Sequence, residues 1–110
     1  MRALVIAPFV VAMLAVPAVA ERLPTFAKGT EYATAREALL KSGWQPQHRP
    51  DAQPCDDDDR CNGRPEMVSC AGTGAGNCLF AWQKGPTQIE VGTIYESPPV
   101  VAAVRCRKGC

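Results

Sequence analysis

The sequence predicts an α+β fold, in which one N-terminal helix packs on a four-stranded antiparallel sheet and disulfides stabilise a small domain. Three observations support this prediction: a helical pattern over residues 31–42, four short strand-like segments after residue 65, and six cysteines that all follow residue 50. A helix followed by strands with short connections is typical of folds in which helix and sheet form separate layers. An even cysteine count in a small exported chain indicates a disulfide framework.

Residues 1–20 have the features of a signal peptide. Arg2 supplies a basic start, residues 4–16 form a mostly apolar run, and Ala18-Val19-Ala20 is a small-residue cleavage site. The apolar run is shorter than the ~20 residues that span a bilayer. We therefore expect cleavage after Ala20 and a single periplasmic or secreted domain, residues 21–110, with no membrane span.

Charge gives no argument for a nucleic-acid or membrane partner. The chain has 12 Lys and Arg against 11 Asp and Glu, and Arg2 is the one charge within residues 1–20, so the mature chain is formally neutral. A neutral chain lacks the field of one sign that attracts polyanions. The charge is uneven, however, with an acidic patch at 51–59 and a basic segment at 105–108.

The first element is a helix over residues 31–42. Thr30 is a candidate N-cap, and Gly43 stands where a left-handed residue ends many helices. Four apolar residues fall on one face of this helix, which we expect to lie on the core: Tyr32, Ala35, Leu39 and Leu40.

A long loop follows over residues 46–65. Four prolines spread among polar residues leave little room for regular structure. A loop of about 20 residues is unusual in a compact domain, so it should be functional or held in place. A bridge between Cys55 and Cys61 would hold it.

Four strands complete the chain. They are predicted at 66–71, 78–84, 87–95 and 100–106, separated by the glycine-rich segment 72–77, by Gly85-Pro86 and by residues 96–99. Alternation places three sets of side chains on the face that the helix covers: Cys78, Phe80 and Trp82, then Ile89, Val91 and Tyr95, then Val100, Ala102, Val104 and Cys106. Trp44 and Trp82 are predicted core residues. Short connections predict an antiparallel meander.

The six cysteines are predicted to form disulfides: Cys55, Cys61, Cys70, Cys78, Cys106 and Cys110. The chain has no C-x-x-C motif and a single histidine, His48, so redox-motif and zinc-site interpretations are poorly supported. Sequence neighbours pair in one connectivity, Cys55–Cys61, Cys70–Cys78 and Cys106–Cys110. In the main alternative connectivity, Cys61 joins Cys106. Cys55 then pairs with Cys110, or Cys110 stays unbridged.

Two segments invite ligand-binding interpretations that their patterns do not support. Asp56 to Asp59 lacks the alternating ligands, glycine and final glutamate of a calcium loop. The glycines of 72–77 precede a strand, whereas a phosphate-binding loop precedes a helix. We expect a solvated acidic loop and a hairpin turn, with no metal and no cofactor.

No catalytic constellation is apparent. His48 has no nucleophile at a recognisable elbow, and one histidine cannot build a metal-dependent hydrolase. Glu66, Glu90 and Glu96 remain as carboxylates that folding could bring together. We predict no catalytic residue and no enzyme activity, with a small envelope enzyme or enzyme accessory using these glutamates as the alternative.

Residues 66–82, with the pattern C-x-G-T-G-x-G-x-C followed by F-x-W, resemble a group of small exported proteins of Gram-negative bacteria, and so do residues 35–44. This resemblance implies export and fold, and it implies no activity. Gly72 to Gly76 and Trp82-Gln-Lys-Gly85 are also similar, in order, to two pieces of the periplasmic inhibitors of C-type lysozyme. Those inhibitors fold as a small barrel without an N-terminal helix, so residues 31–42 depart from that family.

The sequence therefore predicts a monomeric, non-enzymatic periplasmic domain that works by binding an unidentified ligand, with a basic exported protein as the expected partner. Six residues are the predicted binding surface: Asp56, Asp57, Asp58, Asp59, Thr73 and Lys84. A lysozyme-inhibitor-like protein and a passive structural component of the envelope are the other non-enzymatic alternatives.

Overall fold

The structure, a computed structural model, describes residues 21–110 and three isolated earlier positions, Ala3, Val5 and Pro8. Apart from those positions, the predicted signal peptide lies outside the described residues. Within the described part of the chain, no helix is long and apolar enough to cross a membrane.

Helix α1 spans Tyr32–Lys41. As predicted, Gly43 stands just after the end of the helix. Its φ of 88° lies in the left-handed region, which glycine adopts easily because it has no Cβ. The N–H of Gly43 donates to the Leu40 carbonyl over 3.2 Å, and the N–H of Trp44 donates to the Leu39 carbonyl over 3.0 Å. These two bonds satisfy the last carbonyls and form a Schellman motif, which turns Trp44 back onto the core.

The predicted cap at Thr30 is wrong. The N-cap is Glu31, which makes no side-chain cap, and the Thr30 hydroxyl donates to the Ala27 carbonyl over 2.6 Å. The N–H of Tyr32 instead donates to the Pro99 carbonyl over 2.9 Å. A distant loop supplies the acceptor that the side chain was expected to supply, so the helix start is tied to the start of the last strand.

The sheet has five strands rather than four, and all neighbours are antiparallel. They are β1 Gln45–Pro46, β2 Met67–Cys70, β3 Cys78–Lys84, β4 Thr87–Ile94 and β5 Val100–Lys108, in the order β1-β3-β4-β5, with β2 also paired to β3. The predicted α+β fold and the β2 to β5 meander are confirmed. The extra strand β1 pairs with Trp82 and Gln83, while β2 pairs with residues 78–80, so both occupy the same edge of β3. The sequence pattern does not predict β1, because a strand of two residues, one of them proline, is too short to show alternation.

The core lies between α1 and the face of β3 and β4. Cys78, Phe80, Trp82, Ile89 and Val91 are buried, as alternation predicted. The ring of Tyr32 stacks on Phe80, with centroids 3.8 Å apart. Tyr32, Ala35 and Leu39 are buried on the helix face, but Leu40 is 44% exposed, so the predicted stripe is one residue narrower than expected.

The predicted inward face of β5 needs correction. Between Gly92 and Thr93 the register shifts, so Val101 lies opposite Thr93 and Val104 opposite Val91. The bulge moves Val101 to the core side, where it packs with Val104, and leaves Ala102 exposed. A bulge changes which residues face inward and leaves no local mark in an apolar run.

Tyr95 is also not a core residue. It follows β4, has a φ of 70°, and is 58% exposed. Its left-handed backbone ends the alternation that placed it with Ile89 and Val91. The chain leaves the sheet at this residue, which points the phenol ring away from the core.

The long loop is held against the sheet at several points. The Gln47 N–H donates to the Ala81 carbonyl over 2.9 Å, and the Gln53 N–H donates to the Val68 carbonyl over 2.8 Å. Arg49 bonds Glu90 on β4 over 2.9 Å. The loop is therefore held in place beside β2 and β3, as expected for a loop of this length.

The structure contains the bridges Cys55–Cys61, Cys70–Cys78 and Cys106–Cys110. This is the connectivity that pairs sequence neighbours. The first bridge closes the acidic loop, the second joins β2 to β3 at their hairpin, and the third lies where β5 ends.

Candidate functional site

The acidic loop is a tight turn closed by the Cys55–Cys61 bridge. Asp56 and Asp57 have φ values of 51° and 61°. Aspartate and asparagine tolerate this left-handed region better than other residues with a Cβ. The turn leaves Asp56, Asp57 and Asp59 exposed to solvent.

Asp58 is the exception, because it faces Arg60. The Arg60 Nη2 donates to Asp58 Oδ2 over 2.6 Å, and Arg60 Nε lies 3.0 Å from Asp58 Oδ1. The Arg60 backbone N–H also donates to Asp58 Oδ1 over 2.9 Å. The side-chain bonds from Arg60, and then its backbone N–H, lower the pKa of Asp58 from 3.8 to about 2. The Asp58 contacts raise the pKa of Arg60 in turn.

Arg60 joins the acidic loop to the β2–β3 hairpin. Its side chain is 8% exposed, and its Nη1 donates to the Ala71 carbonyl over 2.8 Å and the Gly76 carbonyl over 3.2 Å. The N–H groups of the guanidinium thus donate to acceptors in two segments, the acidic loop and the hairpin. Folding places the two segments that we expected to form the binding surface side by side.

The chain after Tyr95 completes this surface. The Tyr95 N–H donates to the Ala75 carbonyl over 2.7 Å. A Cβ built on Gly76 would lie 2.7 Å from Glu96 Cγ, so the exposed Glu96 packs directly on the hairpin. We call the exposed residues of this surface the acidic face: Asp56, Asp57, Asp59, Thr73 and Glu96.

An apolar groove opens beside Tyr95. Its volume is about 710 Å³, and its walls are residues 23–29, Ile94, Tyr95 and residues 100–104. Tyr95 borders both the groove and the hairpin, so the groove continues from the acidic face. Sequence reasoning missed the groove because its two walls are some 70 residues apart in the chain and neither has a motif.

Lys84 does not belong to this surface. It ends β3, where its Nζ lies 3.4 Å from Glu21 Oε2, whereas Thr73 precedes the first residue of β3. At ~3.3 Å per residue, the seven-residue strand separates its two ends by roughly 20 Å. The predicted set of six residues therefore divides into five that lie together and Lys84, which lies apart.

The three candidate glutamates do not converge. Glu66 is fully buried on the helix side, where its Oε1 accepts from Arg36 Nε over 2.7 Å. Glu90 lies between Ile89 and Val91 on β4 and so points to the opposite face, where Arg49 and Arg107 bind it at 2.9 and 2.8 Å. Glu96 lies on the acidic face. Each carboxylate has a different environment, and the arrangement offers no acid and base facing one substrate.

Among residues 21–110, no group of three or more histidine, cysteine, aspartate or glutamate side chains is placed to hold a metal ion. What the acidic face offers chemically is a set of exposed carboxylates, most of them on a disulfide-closed loop, next to an exposed aromatic ring. Comparison with models of known families, with characterised proteins and with solved structures finds no match to this chain.

Proposed function

We propose that this chain is an exported, non-enzymatic domain that binds a basic exported protein through the acidic face and Tyr95. The observation that carries the proposal is the Arg60 side chain, which fixes the acidic loop against the hairpin tip. Two further supports are the signal-peptide pattern of residues 1–20 and the three disulfides, since disulfides persist in oxidising compartments.

A loop whose backbone is already constrained suits binding, because little backbone entropy is lost when a partner docks. The disulfide and the Arg60 bonds restrict the acidic loop before any partner arrives. The exposed carboxylates would steer a cationic protein and set its orientation. Their neutralisation by Lys or Arg of the partner should make binding sensitive to salt.

Tyr95 and the groove supply the apolar part of the interface. Exposed tyrosines are common anchors because a large rigid ring buries area at small entropic cost. Here the ring is 58% exposed beside a groove of about 710 Å³. A partner that places an apolar side chain in the groove and basic residues around it would match this surface.

The test is titration calorimetry of the mature domain with a C-type lysozyme, a basic exported protein. The variant pair Asp57→Asn and Asp59→Asn removes two exposed charges and keeps the backbone preferences of the loop. We expect binding that weakens about tenfold in this double variant and weakens further as salt is raised.

The matched control removes two acids away from this face, Glu21→Gln and Glu37→Gln, both on solvent-accessible side chains. It should bind like the parent domain. Equal weakening in both double variants would show a net-charge effect and contradict a defined surface, and the absence of any binding at low salt would overturn the proposal.

A further inference from the structure

The three disulfides differ sharply in their surroundings. Cys61 is 3% exposed and Cys78 is 1% exposed, and their partners Cys55 and Cys70 pack against the core. Cys106 and Cys110 are both exposed and belong to neither the core nor the side chains packed on it. A thiolate must reach a sulfur along the S–S axis, so access distinguishes the Cys106–Cys110 bridge from the other two.

Cations surround this bridge in the sequence. Arg105, Arg107 and Lys108 are all exposed, and Arg107 is the one that also bonds Glu90, over 2.8 Å. Positive charge near a sulfur stabilises its thiolate, which makes that sulfur a better leaving group in thiol–disulfide exchange.

The bridge closes a short loop that rests on the β3–β4 turn. The Thr87 hydroxyl donates to the Gly109 carbonyl over 3.1 Å, and a Cβ on Gly109 would lie 2.5 Å from the Pro86 carbonyl oxygen. The ladder partner of Gln88 is Lys108, which lies inside the loop. Opening the bridge therefore changes contacts at one end of the sheet and removes no side chain from the core.

We propose that Cys106–Cys110 is a thiol–disulfide exchange site that reacts with an exported dithiol protein, while the other two bridges remain intact. One thiolate of the partner attacks Cys110 Sγ, the Cys106–Cys110 bond breaks, and its electron pair leaves on Cys106 Sγ, whose neighbours in the chain are Arg105 and Arg107. The second partner thiolate then attacks the mixed disulfide and releases Cys110. The partner is oxidised to a disulfide, and this chain gains two electrons and two protons.

The inference does not rest on the proposed binding function, because the exchange site and the acidic face lie at opposite ends of β5. The Cys106–Cys110 bridge is where β5 ends, whereas Tyr95 and Glu96 lie in the connection that leads from β4 to the start of β5. Loss of exchange would leave lysozyme binding unchanged, and loss of lysozyme binding would leave exchange unchanged.

The first test is brief treatment of the mature, oxidised domain with limiting dithiothreitol under native conditions, followed by alkylation and peptide mass spectrometry. We expect alkylation of Cys106 and Cys110 at least about tenfold ahead of the other four cysteines, because those four are shielded. Earlier alkylation of another pair, or simultaneous alkylation of all six, would overturn the proposal.

The second test uses a thioredoxin-type protein whose second active-site cysteine is replaced by serine, so that the mixed disulfide accumulates. The adduct should map to Cys110, and an adduct on Cys106, on a core cysteine or on none contradicts the step as written. Arg105→Gln with Lys108→Gln should slow adduct formation about threefold through loss of positive charge. Lys28→Gln with Lys41→Gln is the matched control and should not slow it.

Discussion

The indole Nε1 of Trp82 donates a hydrogen bond to the hydroxyl of Tyr32 across 3.1 Å, and neither residue is exposed to solvent. This bond joins α1 to β3 at the centre of the core and satisfies the one polar hydrogen of the indole. Burial, and next the Glu66 carboxylate, raise the pKa of Tyr32 well above its ordinary 10.0. The phenol therefore stays neutral, and its oxygen is a permanent acceptor for Trp82.

Replacing Tyr32 by phenylalanine should destabilise the domain by about 1–3 kcal/mol, because the buried indole N–H loses its acceptor while the ring stacking is kept. Urea unfolding measures the change. Tyr95→Phe is the control, since that hydroxyl belongs to an exposed ring. Similar stability of Tyr32→Phe and the parent would show that the bond contributes nothing net.

The pair Arg36 and Glu66 should behave as a unit. Glu66 is fully buried and the Arg36 side chain is 26% exposed. Arg36→Met leaves a buried carboxylate without a partner and should cost about 3 kcal/mol, the low end for breaking a buried pair because water still reaches one partner. The double variant Arg36→Met with Glu66→Gln should be more stable than Arg36→Met alone. A double variant as unstable as the sum of its singles would contradict this coupling.

Asp58 should make part of the free energy of unfolding depend on pH in the acid range. Its pKa is about 2 in the folded domain against an ordinary 3.8, so its contribution is complete above a pH of about 4 and is lost as the pH falls through about 2. Carboxyl NMR titration reads the pKa directly. Asp58→Asn should lose less stability between these pH values than the parent does. Titration of Asp58 near 3.8 would contradict the role given to Arg60.

Alanine substitutions at Gly76 and Gly74 would distinguish the cost of backbone strain from the cost of steric crowding. Their φ values are 65° and 70°, but a Cβ at Gly76 meets Glu96 Cγ at 2.7 Å and a Cβ at Gly74 meets nothing within 4 Å. Gly74→Ala should cost about 1 kcal/mol from the left-handed backbone alone. Gly76→Ala should cost more and displace Glu96, which thermal unfolding and the chemical shifts of Tyr95 and Glu96 would show. Equal costs would mean that Glu96 does not pack on the hairpin.

Local pattern was enough for the elements that local interactions stabilise. The end of α1 at Gly43 follows from a backbone that only glycine adopts easily, and β3 and β4 follow from alternation that burial enforces. The three bridges join cysteines 4 to 8 residues apart, but local pattern left the Cys61–Cys106 alternative open, and the structure decided between the two connectivities.

Predictions failed where a distant segment replaced a local partner. Pro99 supplies the acceptor at the start of α1, which Thr30 was expected to cap, and the bulge opposite Gly92 and Thr93 shifts the inward face of β5. Both depend on how strands meet, and no property of residues 30–32 or 100–106 alone contains that information.

The candidate site divides in the same way. The sequence by itself determined the acidic loop, the glycine-rich hairpin and the cysteines that constrain them, because charge, backbone freedom and spacing are local properties. Only the tertiary structure decided that Arg60 joins loop to hairpin, that Tyr95 and a groove continue the surface, and that Lys84 lies at the far end of β3. Those relationships depend on strand register and on burial, which arise only when segments far apart in the chain pack together.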